Sequence, residues 1–263
     1  MRAPLPADFL HLPLAHRALH DAAAMRPENS LPAIRAAIRD GYGIEIDVQP
    51  SADGVAMVFH DETLDRLTHE TGPITARSVA QLQRIRVRDS REPIPTLRQV
   101  LAEVGGRVPL LIEIKDQSGV MGPTNGLLEQ ATAAALQGYA GPVAVMSFNP
   151  SSVAQMARIA PEIPRGLTTY AFPAEDFPAA AGPELQAHRA ALAAIADFDA
   201  VEASFISHHW RDLVRPRVAA LKAQGAAVLC WTIRTTGEEA EARRIAQNIT
   251  FERYLAAIPS TGA

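Results

Sequence analysis

The sequence predicts an α/β protein: a single (β/α)8 barrel of the TIM type, with residues 1–263 forming one domain. Three observations carry this. Short apolar runs rich in branched residues alternate with longer Ala-rich helical stretches, the pattern of a parallel sheet covered by helices. Eight or nine such runs in 263 residues favour a closed barrel over an open doubly wound sheet. One segment, 61–95, carries many charges and few periodic apolar positions, and reads as a small insertion after His60.

Strands are expected near 12–16, 44–48, 55–59, 109–114, 142–147, 164–169, 199–203 and 227–232, with a further one at 248–251. Helices are expected near 31–40, 96–104, 124–137, 150–160, 184–195, 207–223 and 237–246. In the first helix Leu31, Ile34 and Ile38 share one face, Asn29 or Ser30 can cap the start, and Gly41 follows the end. Asn149-Pro150 and Ser204 or Ser207 are further start signals, and Pro216 should divide the 207–223 helix. Residues 171–183, with three prolines, read as a second, smaller irregular segment.

The region between the second and third strands is irregular. About seven residues separate Val48 from Val55, whereas a parallel crossover needs roughly a dozen or more. Asp53-Gly54 has the composition of a hairpin turn, yet an antiparallel return would carry His60 to the wrong end of the barrel. The expectation is therefore an irregular crossover without a helix.

Composition bounds the function. Hydrophobic residues make up 48% and charged residues 21%, as in a soluble globular protein. A formal charge of −4 and a pI near 6.1 do not suggest a nucleic-acid partner. The single cysteine, Cys230, lies in an apolar run and reads as a buried small hydrophobe. Pro4, Pro6, Asp8 and Pro13 interrupt any signal-peptide core, and no stretch approaches a membrane helix in length. A soluble, cytoplasmic protein without stable membrane association is expected; nothing in the sequence bears on oligomeric state.

Four strand ends supply ionisable residues. The run Leu14-Ala15 delivers His16 and Arg17 at its C-terminal end, the catalytic face of a barrel. In Ile44-Glu45-Ile46-Asp47-Val48 the two acids project together, because residues two apart on a strand point the same way. Two buried carboxylates repel unless a cation sits between them, and Ca²⁺ or Mg²⁺ suits oxygen donors. The alternative is an edge strand with its polar face in water. Val55 to Phe59 ends in His60-Asp61, where the acid could orient the imidazole or cap the next turn. In Ile112-Glu113-Ile114-Lys115 a third carboxylate could complete a metal site and the lysine could neutralise a phosphate; the alternative is a plain salt bridge. Two histidines, three acids, one arginine and one lysine together are what metal-assisted phosphoryl chemistry requires.

The ordered set His16-Arg17, Pro27-Glu28-Asn29-Ser30, Glu45-x-Asp47-Val48, Asp53-Gly54, His60-Asp61, Leu64-x-Arg66-x-Thr68, Gly72 and Glu113-x-Lys115 resembles the glycerophosphodiester phosphodiesterase family. Trp231-Thr232-Ile233-Arg234 is similar to that family's later tryptophan motif. The match is dense from 15 to 115 and thin beyond.

The resemblance implies a phosphatidylinositol-phospholipase-C-like barrel that hydrolyses glycerophosphodiesters to glycerol phosphate and an alcohol. It implies one divalent cation, Mg²⁺ or Ca²⁺, on Glu45, Asp47 and Glu113, and an acid–base pair of His16 and His60. It also implies phosphate contacts from Arg17 and Lys115, and Trp231 lining the pocket. His16 is assigned as base and His60 as acid.

The chain departs from the family at Ala18, where Gly is usual after His-Arg. It departs again at Asn248-Ile249-Thr250-Phe251-Glu252, which stands in place of an Asp-Gly and Thr-Asp-x-Pro strand. Competing readings are a phospholipase- or sphingomyelinase-like lyase on the same barrel and a phosphodiester-binding pseudoenzyme. His11, His20, His69, His188, His208 and His209 read as surface residues.

Overall fold

A computed structural model describes residues 2–178 and 182–259. Its strands are β1 Leu14–Ala15, β2 Gly43–Pro50, β3 Ala56–Val58, β4 Leu110–Ile114, β5 Val143–Ser147, β6 Arg165–Thr169, β7 Phe205–His209, β8 Ala227–Ile233 and β9 Asn248–Phe251. The helices are α1 Asp8–His11, α2 Leu31–Asp40, α3 Val79–Leu82, α4 Leu97–Val104, α5 Leu127–Leu136, α6 Pro150–Ile159, α7 Pro183–Ala193, α8 Pro216–Ala223 and α9 Thr236–Ala242. Parallel pairing runs β1-β9-β8-β7-β6-β5-β4-β2, and β1 also pairs with β2, so eight parallel strands close on themselves. The barrel is as the sequence predicts, with β3 as the added strand.

Side chains divide as strand alternation requires. On β2, Ile44, Ile46 and Val48 join the layer between strands and helices, and on β4 so do Leu110, Ile112 and Ile114. Inside the ring, Leu14, Leu111, Ala144, Met146, Phe205 and Leu229 form a separate core that Phe9 of α1 closes from below. Gly166 makes room there: a Cβ would lie 2.3 Å from the Phe205 ring. Ser30 caps α2 and Gly41 ends it in left-handed backbone, as the sequence signals indicate. The segment after His60 builds a small core of its own from Phe59, Leu64, Ile74, Leu82, Val87 and Ile94.

Three expectations are corrected. β2 and β3 form an antiparallel hairpin through a turn with Gly54 at φ 76°, not an irregular crossover. His60 nevertheless reaches the catalytic face, because β2 is eight residues long and overshoots the two-residue β1. β4 takes one edge of β2 over Ile44 to Val48, so β1, paired at Gly43 and Ile44, and β3, paired at Val48 to Pro50, share the other. β1 rises to His16 while β3 descends from the overhang to His60, and both arrive beside Glu45 and Asp47.

The second correction concerns the seventh strand, which is 205–209 and not 199–203; the predicted helix 207–223 is that strand followed by α8 starting at Pro216. Ser204 or Ser207 read as a helix start, but the gap between β6 and β8 needs a strand there: Phe205 pairs with both Gly166 and Ala227.

Third, His208 is not a surface residue. It is fully buried, its Nδ1 sharing a 2.7 Å hydrogen bond with Thr169 Oγ1. His209 is half-buried with its ring 5.3 Å from that of Trp231, and His20 and His188 are also half-buried. His11 and His69 are exposed and Cys230 is buried, as expected.

Candidate active site

The carboxylates meet through sheet register. Asp47 pairs with Glu113 across the parallel β2–β4 ladder, and Glu45 points the same way two residues earlier. One oxygen from each of the three acids lies within 4.8 Å of the others. Glu45 and Asp47 are 1% exposed and Glu113 7%. Burial, then the charges of Asp47 and Glu113, push the Glu45 carboxyl well above its usual range. Burial also opposes ionisation of Asp47, but Lys115, His60, Arg17 and a hydrogen bond from Asn29 outweigh it and hold the group well below its usual range. The cluster is short of positive charge, and its all-oxygen donors suit a hard divalent cation.

Each histidine has a carboxylate on one nitrogen. His16 Nδ1 lies 2.8 Å from Glu252 Oε2, and His60 Nδ1 lies 2.7 Å from Asp61 Oδ1. An ionised carboxylate only accepts, so each Nδ1 carries a proton and each Nε2 is the nitrogen left for proton transfer. Lys115 Nζ lies 3.3 Å from His60 Nε2. Burial lowers the His16 pKa, and the Arg17 charge adds to that, against the opposing hydrogen bond to Glu252. Asp61 is itself fixed by Arg66 Nε at 2.6 Å, so it orients His60 and is not merely a turn cap.

The cations are braced. Lys115 Nζ donates to Glu113 Oε1 at 2.7 Å and lies 3.6 Å from Asp47 Oδ1. Arg17 donates to Glu28 Oε1 at 2.8 Å, and its backbone N–H donates to Glu45 Oε2 at 2.9 Å. Ala18 sits in left-handed backbone at φ 64°, a conformation that glycine adopts more readily than alanine. Its N–H donates to the Glu45 carbonyl at 2.9 Å. Trp231 is pinned by donating to the Ser207 carbonyl at 3.0 Å.

All eight residues singled out from the sequence, His16, Arg17, Glu45, Asp47, His60, Glu113, Lys115 and Trp231, line one cleft of about 200 Å³ at the C-terminal mouth of the barrel. Sequence reasoning gave no role to Glu252, which follows β9 and also accepts from Arg234 Nε at 2.7 Å. It offered Asn29 only as a helix cap, but Ser30 fills that place and Asn29 Nδ2 donates to Asp47 Oδ2 at 2.9 Å. An acid directly after a barrel strand was the available signal for Glu252. Thr168 and Thr250 also line the cleft, and their buried hydroxyls have no hydrogen-bond partner among the described residues.

A sequence model described as the glycerophosphoryl diester phosphodiesterase family matches residues 16–250. Glycerophosphodiester phosphodiesterase 1 of Bos taurus is 40% identical over 100 residues, covering 34% of this chain and 29% of that protein. A glycerophosphodiester phosphodiesterase of Caldanaerobacter subterraneus subsp. tengcongensis is 31% identical over 149 residues, 54% of this chain and 60% of that one. The chain thus spans less than two thirds of the length of these curated relatives. Among solved structures, an Oleispira antarctica phosphodiesterase in complex with the product sn-glycerol-3-phosphate aligns with a TM-score of 0.73 at 24% identity, over 92% of this chain and 93% of that one. A glycerophosphodiester phosphodiesterase from Agrobacterium tumefaciens aligns at 0.65 and 25% identity, over 90% and 94%.

Proposed function

This chain belongs to the glycerophosphoryl diester phosphodiesterase family, and from that premise we propose that it hydrolyses glycerophosphodiesters to glycerol phosphate and a free alcohol, with His16 and His60 as its proton-transfer pair. The observation that carries the reading is the placement of two carboxylate-oriented imidazoles and three buried acids on one cleft.

Glu45, Asp47 and Glu113 would hold one divalent cation, Mg²⁺ or Ca²⁺. When bound, it supplies Lewis-acid withdrawal of charge from the phosphate. Arg17 and Lys115 take up the remaining phosphate charge as the phosphorus becomes crowded. His16, kept neutral by burial, accepts the proton of the attacking hydroxyl on Nε2. His60 enters this step as the imidazolium, its Nδ1–H held by Asp61, and gives its Nε2 proton to the leaving alkoxide. Trp231 forms the wall against which the glycerol or the alcohol rests, and the free hydroxyls of Thr168 and Thr250 are available to glycerol oxygens. The product in the Oleispira antarctica relative supports a glycerol phosphate end for the substrate. Deacylated headgroup diesters dissolve in water, and no helix among the described residues is long and apolar enough to cross a membrane.

The test is turnover of glycerophosphocholine with and without a chelator, followed by Mg²⁺ and Ca²⁺ add-back. Chelation should abolish turnover and one ion should restore it; turnover indifferent to chelation rejects the metal role. His16→Ala and His60→Ala should each lower turnover by about two orders of magnitude or more. Near-normal rates in both would remove the mechanism.

A further inference from the structure

We propose that a second cavity, opening from the catalytic cleft past Trp231, is a cation-accepting subsite, so that the enzyme selects diesters whose alcohol carries a positive charge. The inference rests on the hydrolase reading above and names its substrate class.

The cavity holds about 420 Å³ and shares Glu113, Lys115, Phe148 and Trp231 with the cleft, so the two are continuous. The shared residues place it where the alcohol of a diester bound at the triad would extend. Its wall is aromatic. The rings of Phe148 and Trp231 lie 5.4 Å apart, those of Phe148 and Tyr170 5.7 Å, and those of Tyr170 and Trp231 6.4 Å.

Its charge balance differs from that of the cleft, where the cations match the three acids in number. Arg17, Lys115 and Arg234 line the phosphate side. Beyond Trp231 the lining carries Glu62, Asp116 and Asp176, and among the described lining residues its one cation is Lys115, already engaged by Glu113. These acids are placed by different elements. Asp116 is fixed by Asn149 Nδ2 at 2.7 Å and by the Met121 N–H at 2.9 Å, which hold it below its usual pKa despite burial. Asp176 accepts from the Tyr170 hydroxyl at 2.7 Å, which sets a carboxylate at the edge of the aromatic wall.

A quaternary ammonium is attracted to aromatic faces and gives up its hydration readily. The carboxylates add an attraction that a neutral alcohol cannot gain and that turns repulsive for an anionic one. The bound diester is then matched end to end, its phosphate beside Arg17, Lys115 and Arg234 and its cation in the acidic, aromatic cavity.

The experiment compares kcat/KM for glycerophosphocholine and for its uncharged isostere, the 3,3-dimethylbutyl diester of glycerol phosphate. Both are run with the metal-loaded wild type and with the Glu62→Gln, Asp176→Asn double variant. These exposed positions keep their size, and Asn retains an acceptor for Tyr170. The wild type should prefer the choline diester by about tenfold, and the double variant should shrink that ratio at least about threefold, chiefly through KM. A ratio that the double variant leaves unchanged overturns the subsite while hydrolysis stands. No turnover of either diester by the wild type overturns the hydrolase reading and this inference with it.

Discussion

Glu252 Oε2 lies 2.8 Å from Nδ1 of His16, joining two residues 236 positions apart in the chain. The carboxylate is pushed up by burial, but His16, His20 and Arg234 hold it far below its usual range, so it stays ionised wherever the enzyme works. It fixes the His16 tautomer and, in the proposed mechanism, would support the imidazolium formed when His16 takes a proton. Glu252→Gln keeps an acceptor and removes the charge. Without that charge burial depresses the His16 pKa further, so the acid limb of kcat/KM against pH should move to lower pH, and turnover should drop by about tenfold or more. A pH profile with an unmoved acid limb would reduce Glu252 to a structural contact.

Glu45 gives the proposed metal site a signature in stability. Its carboxyl is raised by burial and by Asp47 and Glu113, so the folded state holds that proton more tightly than the unfolded state. In metal-free protein its contribution is fully present below the ordinary value of 4.5 and is lost as pH rises through the folded value. Glu45→Gln should therefore make the metal-free protein more stable than wild type at neutral and higher pH. Divalent cation at a hundred times its Kd should stabilise wild type by about 2.7 kcal/mol, and the variant far less. Melting temperatures with chelator and with Mg²⁺ or Ca²⁺ check both signs. A variant that melts lower than wild type in chelator, or gains as much from the ion, contradicts the assignment.

The site was legible where strand alternation exposed it. Ile44, Ile46 and Val48 on one side of β2 leave Glu45 and Asp47 on the other, and Leu111 gives way to Glu113 along the inward face of β4. The β2–β3 hairpin was readable as a turn at Asp53-Gly54, but its consequence was not. Whether an antiparallel return loses His60 depends on how far β2 outruns β1, a length that hydrophobic alternation does not encode. β7 was missed because two histidines stand where apolar letters mark a buried strand, and His208 satisfies Nδ1 through Thr169 on the neighbouring strand. Glu252 was visible only as a departure at the chain's last strand, since its partner His16 lies across the closing β1–β9 pair.

The barrel interior depends on Gly166. A Cβ there would meet three atoms of the fully buried Phe205 ring at 2.3 to 2.6 Å, and the ring is enclosed by a packed core. Gly166→Ala should destabilise by about 2–3 kcal/mol, the cost of overpacking a site that cannot relax. Adding Phe205→Leu should recover part of that loss, so that the double variant is more stable than the sum of the single changes predicts. Urea unfolding of the three variants measures the coupling; strict additivity would show that the ring does not define the space at Gly166.

His208 makes stability depend on pH away from the catalytic cleft. Burial lowers its pKa from the ordinary 6.5 to about 4, and its Nε2 has no hydrogen-bond partner among the described residues. The unfolded chain therefore binds a proton across a range in which the folded one does not. The sign follows: the contribution is fully present above about pH 6.5 and is lost as pH falls toward about 4. A shift of this size is worth on the order of 3 kcal/mol in full, of which about 2 kcal/mol should disappear between pH 7 and pH 5. His208→Gln does not titrate, so its unfolding free energy should fall less over that interval, by about the same 2 kcal/mol, whatever the substitution costs at pH 7. Urea midpoints for both proteins at the two pH values give the difference directly. Parallel losses in the two proteins would mean that His208 is protonated in the fold as readily as out of it, and that the pocket between β6, β7 and Asp212 admits the charge.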